Sequence, residues 1–217
     1  MNKLLSRLLV CCLTLSVFAQ TKANESIEHF NVEQFKAEQS KVEHFKIEQF
    51  KIEQGVASFT QEKKFTFLTT PIKSSGIFKV YNNNILWQVN SPVFSKLLII
   101  DSEIFQYEEV KTVEGISHYY RKMATHASIE TLIQAVFTGT INKEQWNATE
   151  KNDRCLLLEP KDTMLVQAIS LLELCLGEQE GMREVLITDI QKNTTKISLT
   201  QTSTTLSDDD VNEFNIH

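Results

Sequence analysis

Between Lys63 and Glu108 the chain breaks into short alternating runs divided by polar turns, which predicts an antiparallel sheet built from consecutive hairpins. The runs are Phe65 to Leu68, Ser75 to Tyr81, Ile85 to Val89, Phe94 to Ile100 and Ile104 to Glu108. Asn82-Asn83-Asn84 marks a turn, because asparagine tolerates the left-handed backbone. Read as a three-residue loop, it places Ile77, Lys79 and Tyr81 on one face with Ile85, Trp87 and Val89. Phe78, Val80 and Leu86 then fall on the other. Both faces carry apolar side chains, so the expectation is a curved sheet covered on its concave side, or a sandwich. Four further strand-like runs follow later: Cys155 to Glu159, Ser170 to Leu176, Arg183 to Asp189 and Thr195 to Gln201.

Two segments break this pattern. Residues 29 to 54 hold five near-copies of a five-residue unit, from His29-Phe-Asn-Val-Glu to Gln49-Phe-Lys-Ile-Glu. Their apolar period fits neither helix nor strand well, yet Glu, Gln and Lys favour helix and pairs such as Glu43/Lys46 stand at i,i+3. The expectation is a long, imperfectly amphipathic helix over residues 26 to 54, docking on the body through Val56 and Phe59. In the second segment Ser128 is the expected N-cap of an amphipathic helix with Ile129, Leu132, Ile133, Val136 and Phe137 on one stripe, stopped by Gly139. A short helix or turn is expected over Asn142 to Trp146. Helix, strands, helix, strands gives the α+β class.

Met1 to Ala19 sets Lys3 and Arg7 before an apolar run and ends in Val17-Phe18-Ala19, the pattern of a secretory signal peptide, with a second possible cut after Ala23. Removing it takes the formal charge from −6 to −8 and leaves Cys155 and Cys175 of the 4 cysteines. An acidic exported chain is a weak candidate for binding nucleic acid or anionic lipid headgroups by charge alone. With 41% hydrophobic residues in 217, one globular domain is expected. The organisation reads as a signal peptide over residues 1–19, a repeat helix over 20–54 and a globular domain over 55–217.

Phe59-Thr60-Gln61, Pro71, Ser74-Ser75-Gly76-Ile77-Phe78, Leu86-Trp87, Ser91-Pro92 and the later Leu156-Leu157-Leu158-Glu159-Pro160-Lys161 follow one another in an order that resembles the outer-membrane lipoprotein carrier family (LolA-like). The resemblance spans roughly residues 55 to 214. It implies an incomplete antiparallel β-barrel, a half-barrel whose concave face is covered by helices and receives acyl chains. On that reading the protein is a monomeric periplasmic chaperone, without catalysis, cofactor or metal. It would take lipidated cargo from an inner-membrane donor to an outer-membrane acceptor. The implied lipid-binding residues are Ile77, Tyr81, Ile85, Trp87, Val89, Ile129, Leu132, Ile133, Val136 and Phe137. Many such carriers have an arginine where this chain has Tyr81, so Lys79 becomes the expected headgroup contact, and a related carrier of glycolipid or other acylated cargo is the alternative.

Cys155 and Cys175 lie in two apolar runs that could pair, allowing either a disulfide or two buried thiols. His118 and His126, near Tyr119, Tyr120 and Arg121, are the material for a hydrolase site, but Gly-x-Ser-x-Gly and His-Glu-x-x-His are both missing from the sequence. A third reading makes the repeat helix a protein-interaction module. Asn147-Ala148-Thr149 and Asn193-Thr194-Thr195 match the glycosylation pattern but are incidental in a bacterial exported protein.

Overall fold

A computed structural model describes residues 47–112, 115–124 and 127–215. The signal peptide, the second cleavage site, most of the repeat and His126 lie outside the described residues.

Eleven strands form one antiparallel sheet. They are β1 (Gly55–Lys64), β2 (Ile72–Tyr81), β3 (Asn84–Ser91), β4 (Ser95–Ile100), β5 (Glu103–Thr112), β6 (Gly115–Lys122), β7 (Trp146–Asn152), β8 (Cys155–Pro160), β9 (Ile169–Leu176), β10 (Met182–Asp189) and β11 (Thr194–Ser203). Their order is β6-β5-β4-β3-β2-β1-β11-β10-β9-β8-β7. Two hairpin meanders therefore meet where the first strand pairs with the last. The sheet does not close on itself, because β6 and β7 are its edges, as a partial barrel requires.

Among the described residues the helical elements are few. Ile47–Phe50 is one 3-10 turn, α1 spans Ala127–Ile133 and continues as a π-helical segment Gln134–Thr138, α2 spans Thr163–Val166 and α3 spans Asp208–Asn212. Gly139 closes the π segment at φ 69°. A Cβ there would stand 2.0 Å from the Phe50 carbonyl oxygen, so only glycine fits the approach of the 3-10 turn.

Several expectations are corrected. The described end of the repeat, residues 47 to 54, is a 3-10 turn and an irregular stretch, and Val56 and Phe59 belong to β1, the central strand. Phe65 to Leu68 is a turn between β1 and β2. The helix or turn expected over Asn142 to Trp146 is a turn, with Gln145 N and Trp146 N both donating to the Asn142 carbonyl, and Trp146 opens strand β7. Ser128 sits inside α1 and donates to Asp162 Oδ1 at 2.6 Å, so it does not cap the helix.

The β2–β3 turn matters most. Asn82 and Asn83 both have positive φ, 49° and 64°, while Asn84 pairs with Tyr81 as the first residue of β3. Two consecutive left-handed residues make the tight hairpin turn that matches strand twist. The loop is thus one residue shorter than expected, and the shift moves alternate side chains of β2 to the opposite face.

Candidate functional site

Phe78 pairs with Trp87 and Val80 with Ile85 across β2 and β3, so these residues and Val89 share a face. All five are almost fully buried. Ala57 and Phe59 of β1, Leu199 of β11 and Ile99 of β4 extend the same face through their register. The Phe59 and Trp87 rings stack with centroids 3.7 Å apart. Phe59 can lie so low because its cross-strand neighbour is Gly76, where a Cβ would come within 2.8 Å of the ring and 1.8 Å of the Gln88 carbonyl oxygen.

Phe137 of the π segment completes the cluster, with its ring centroid 4.4 Å from Trp87 and 5.1 Å from Phe78. Leu132, Val136 and Phe137 are buried, whereas Ile129 and Ile133 are partly buried. Phe59 and Phe137 fill the space beside Trp87, so the hollow expected for acyl chains is not open at this point. Under the π segment, a recess lined in part by Phe50, Val136, Leu174 and Arg183 holds only about 10 Å³. That is roughly the minimum for one water.

Three polar links fasten α1 from outside the aromatic cluster. Ser128 bonds Asp162, Thr131 donates to Gln145 Oε1 at 2.6 Å, and Ser102 donates to Glu130. The 3-10 turn is joined to the π segment through Ile52 N, which donates to Thr138 O at 2.9 Å. Arg183, at the start of β10, holds the same stretch by donating from Nη2 to the Lys51 carbonyl at 2.7 Å. Burial pushes its guanidinium down to about 10. The indole Nε1 of Trp87 is buried, and no acceptor among the described residues reaches it; Trp146 Nε1 shares that condition.

Ile77, Lys79 and Tyr81 do not join this face. They share the other one with Leu86, which corrects their expected place beside Trp87 and follows from the two-residue turn. There Leu86, Leu98 and Phe214 form a second core, with Tyr81, Ile100, Phe105, Tyr120 and Leu206 packed around it. Lys79, the expected headgroup contact, is engaged instead by protein carboxylates, at 2.5 Å from Asp210 and 2.6 Å from Glu213, on the face away from Trp87. Sequence reasoning missed Phe59 and Phe78 as parts of the cluster. Phe78 lost its place through the register error, and Phe59 was assigned to a helix.

Cys155 and Cys175 face each other across β8 and β9 and form a disulfide. His118 lies on the exposed β5–β6 hairpin, where its Nδ1 is 2.5 Å from the Tyr107 hydroxyl.

No protein-family model matches the chain, and no curated protein matches it. Among solved structures it is similar to a Vibrio parahaemolyticus domain provisionally described as an outer membrane lipoprotein-sorting protein. The match covers 84% of this chain and 98% of that one, at 12% identity and a TM-score of 0.29. A score of that size does not establish a common fold.

Proposed function

We propose that the chain is a periplasmic carrier that shields the acyl chains of lipidated cargo on the Trp87 face, with α1 and its π continuation as a displaceable cover. The observation that carries this reading is the Phe59–Trp87–Phe137 stack. An open sheet presents a continuous apolar face, and the aromatic ring that closes it belongs to the π segment. π-helical turns are rare and concentrate at functional sites. Outward movement of Phe137 would expose a floor of Phe59, Phe78, Ile85, Trp87 and Val89, all apolar.

The energetics favour exchange over permanent opening. Each methylene sheltered from water contributes about 0.8 kcal/mol, so a chain of a dozen methylenes compensates the loss of Phe137 and Leu132 contacts, each worth roughly 1.5–3 kcal/mol. The unmatched Trp87 Nε1 supports an acyl ester or amide as cargo, because a carbonyl oxygen would relieve a buried donor whose isolation costs about 1–3 kcal/mol. Lipoproteins fit this chemistry, as do glycolipids and other acylated molecules. Donor and acceptor proteins at the inner and outer membranes belong to the proposal, and bond chemistry does not.

The test is binding of a fluorescent fatty acyl probe to the purified chain, alone and with Trp87→Asp or Leu132→Asp. Either carboxylate would sit where hydrocarbon belongs and should weaken binding more than tenfold. A folded variant with unchanged affinity would remove the Trp87 face from the reading.

A further inference from the structure

The large apolar side chains that remain exposed are gathered at one end of the sheet. Because neighbouring strands are all antiparallel, the connections 65–71, 92–94, 161–168 and 190–193 leave the sheet from the same end, as do the tips of β5 and β6. Phe67 is 75% exposed, Val93 73% and Phe94 53%, and they are joined there by Leu68, Met164 and Ile190. Among the described residues, Tyr119 on the body of β6 is the one exposed large hydrophobic away from that end. Single exposed apolar residues scattered over a surface need no explanation, whereas their confinement to one end does. Successive connections there are two strands apart, or about 10 Å, so they form a row along the whole edge.

Charge is divided in the same sense. Lys64, Lys73, Lys161 and Lys192 are exposed at the apolar end. Of the acidic groups there, Glu62 pairs with Lys73 at 2.7 Å, Asp162 accepts from amides of α2 and Asp189 accepts from Asn193, while Glu109, Glu144 and Glu159 are exposed among the lysines. At the opposite end the connections carry exposed Asp101, Asp153, Glu178, Glu180, Asp208 and Asp209. An end with aromatic and aliphatic tips among lysines, facing away from an acidic end, matches the boundary between acyl chains and anionic headgroups.

We infer that this end docks on an anionic lipid bilayer, with Phe67, Leu68, Val93, Phe94, Met164 and Ile190 entering the headgroup boundary and the lysines meeting lipid phosphates. The inference does not depend on acyl binding at the Trp87 face. Docked in this way, the protein stands with its strands steep to the membrane and its acidic end in water.

The experiment is cosedimentation of the full chain with vesicles of phosphatidylethanolamine and phosphatidylglycerol, and with phosphatidylcholine alone. Binding should favour the anionic vesicles and weaken as salt is raised. The double substitution Phe67→Ser with Phe94→Ser should lower partitioning by about tenfold or more per phenylalanine. Met164→Ser, on a separate connection, should lower it less, and Tyr119→Ser should leave it unchanged. All of these residues are exposed, so folding is checked by unaltered thermal melts. Residues 1–19 are common to every variant and cancel in the comparison. The inference is overturned if the unaltered chain ignores both vesicle types, if the double variant partitions like it, or if Tyr119→Ser reduces binding as much. It is also overturned if light scattering shows a pair of chains that the double substitution separates, since the apolar end would then bind a second copy. Loss of vesicle binding with acyl-probe binding retained concerns this end alone.

Discussion

Lys79 Nζ stands 2.5 Å from Asp210 Oδ1, joining the second strand to the last helix across more than half of the sequence. The lysine side chain is 8% exposed and also meets Glu213, so the C-terminal segment is fixed to the sheet by charge as well as by Phe214. Asp210 closes a capping box with Ser207 at the start of α3. Lys79, with the Ser207 hydroxyl and amide, holds the Asp210 carboxyl well below the usual carboxylate range. Burial pulls the Lys79 ammonium down, but its hydrogen bonds to Asp210 and Glu213 outweigh this and leave its pKa raised.

The pair should therefore give stability a defined pH dependence. A depressed carboxyl pKa stabilises the fold above the unfolded value near 4, and this contribution falls as pH drops toward the folded value. A raised lysine pKa contributes below about 10.5 and is lost as pH rises through the folded value. Asp210→Asn is expected to cost about 2 kcal/mol at pH 7, the worth of a hydrogen bond to a charged group, and progressively less below pH 4. Urea unfolding of both proteins between pH 2 and pH 8 measures it, and a constant difference across that range would contradict the assignment.

Gly139 gives a second expectation. Gly139→Ala forces a Cβ against the Phe50 carbonyl and an unfavourable positive φ, so a loss of roughly 2 kcal/mol or more should follow. Because the contact joins the π segment to the 3-10 turn, residues 47 to 54 should also be cut faster by protease. Equal cleavage rates would mean that the glycine does not govern that junction.

Phe137→Ala separates stability from binding. Removing the ring should destabilise the protein by about 3–5 kcal/mol, as other buried phenylalanine truncations do. If Phe137 is the cover, the same change should raise affinity for an acyl probe, because less protein contact has to be displaced. Reduced affinity in a folded variant would instead make Phe137 part of the floor.

The disulfide should stabilise the last strands. Closing a loop of 20 residues between Cys155 and Cys175 is worth about 3 kcal/mol through the unfolded chain. Cys155→Ala with Cys175→Ala should lower the melting temperature by roughly 6–12 °C for a domain of this size. Calorimetry in the absence of reductant reads the difference directly.

Where side-chain alternation was strong, the sequence was legible. The runs now seen as β2 to β5 and β8 to β11 could be located, as could the helix ending at Gly139. β1 escaped because two of its inward positions are Gln61 and Lys63, both buried, so its polar and apolar residues do not alternate cleanly. Edge strands β6 and β7 expose most of their residues and carry no apolar period. At the site, Ile85, Trp87 and Val89 were placed together correctly on one face. Ile77, Lys79 and Tyr81 were not, because three successive asparagines conceal which two form the turn, and only backbone pairing decides it.

The pairing of β1 with β11 also governs when the molecule can fold. Its central seam joins Val56 to Ser203 and Lys64 to Thr194, so the longest-range contacts lie in the middle of the sheet and not at its margin. Either meander can form hairpins early, but a nascent chain has no finished centre until its eleventh strand has been synthesised. Such distant pairing makes folding slow and late, leaving a long interval in which the two facing margins of the seam stand open before they can zip together.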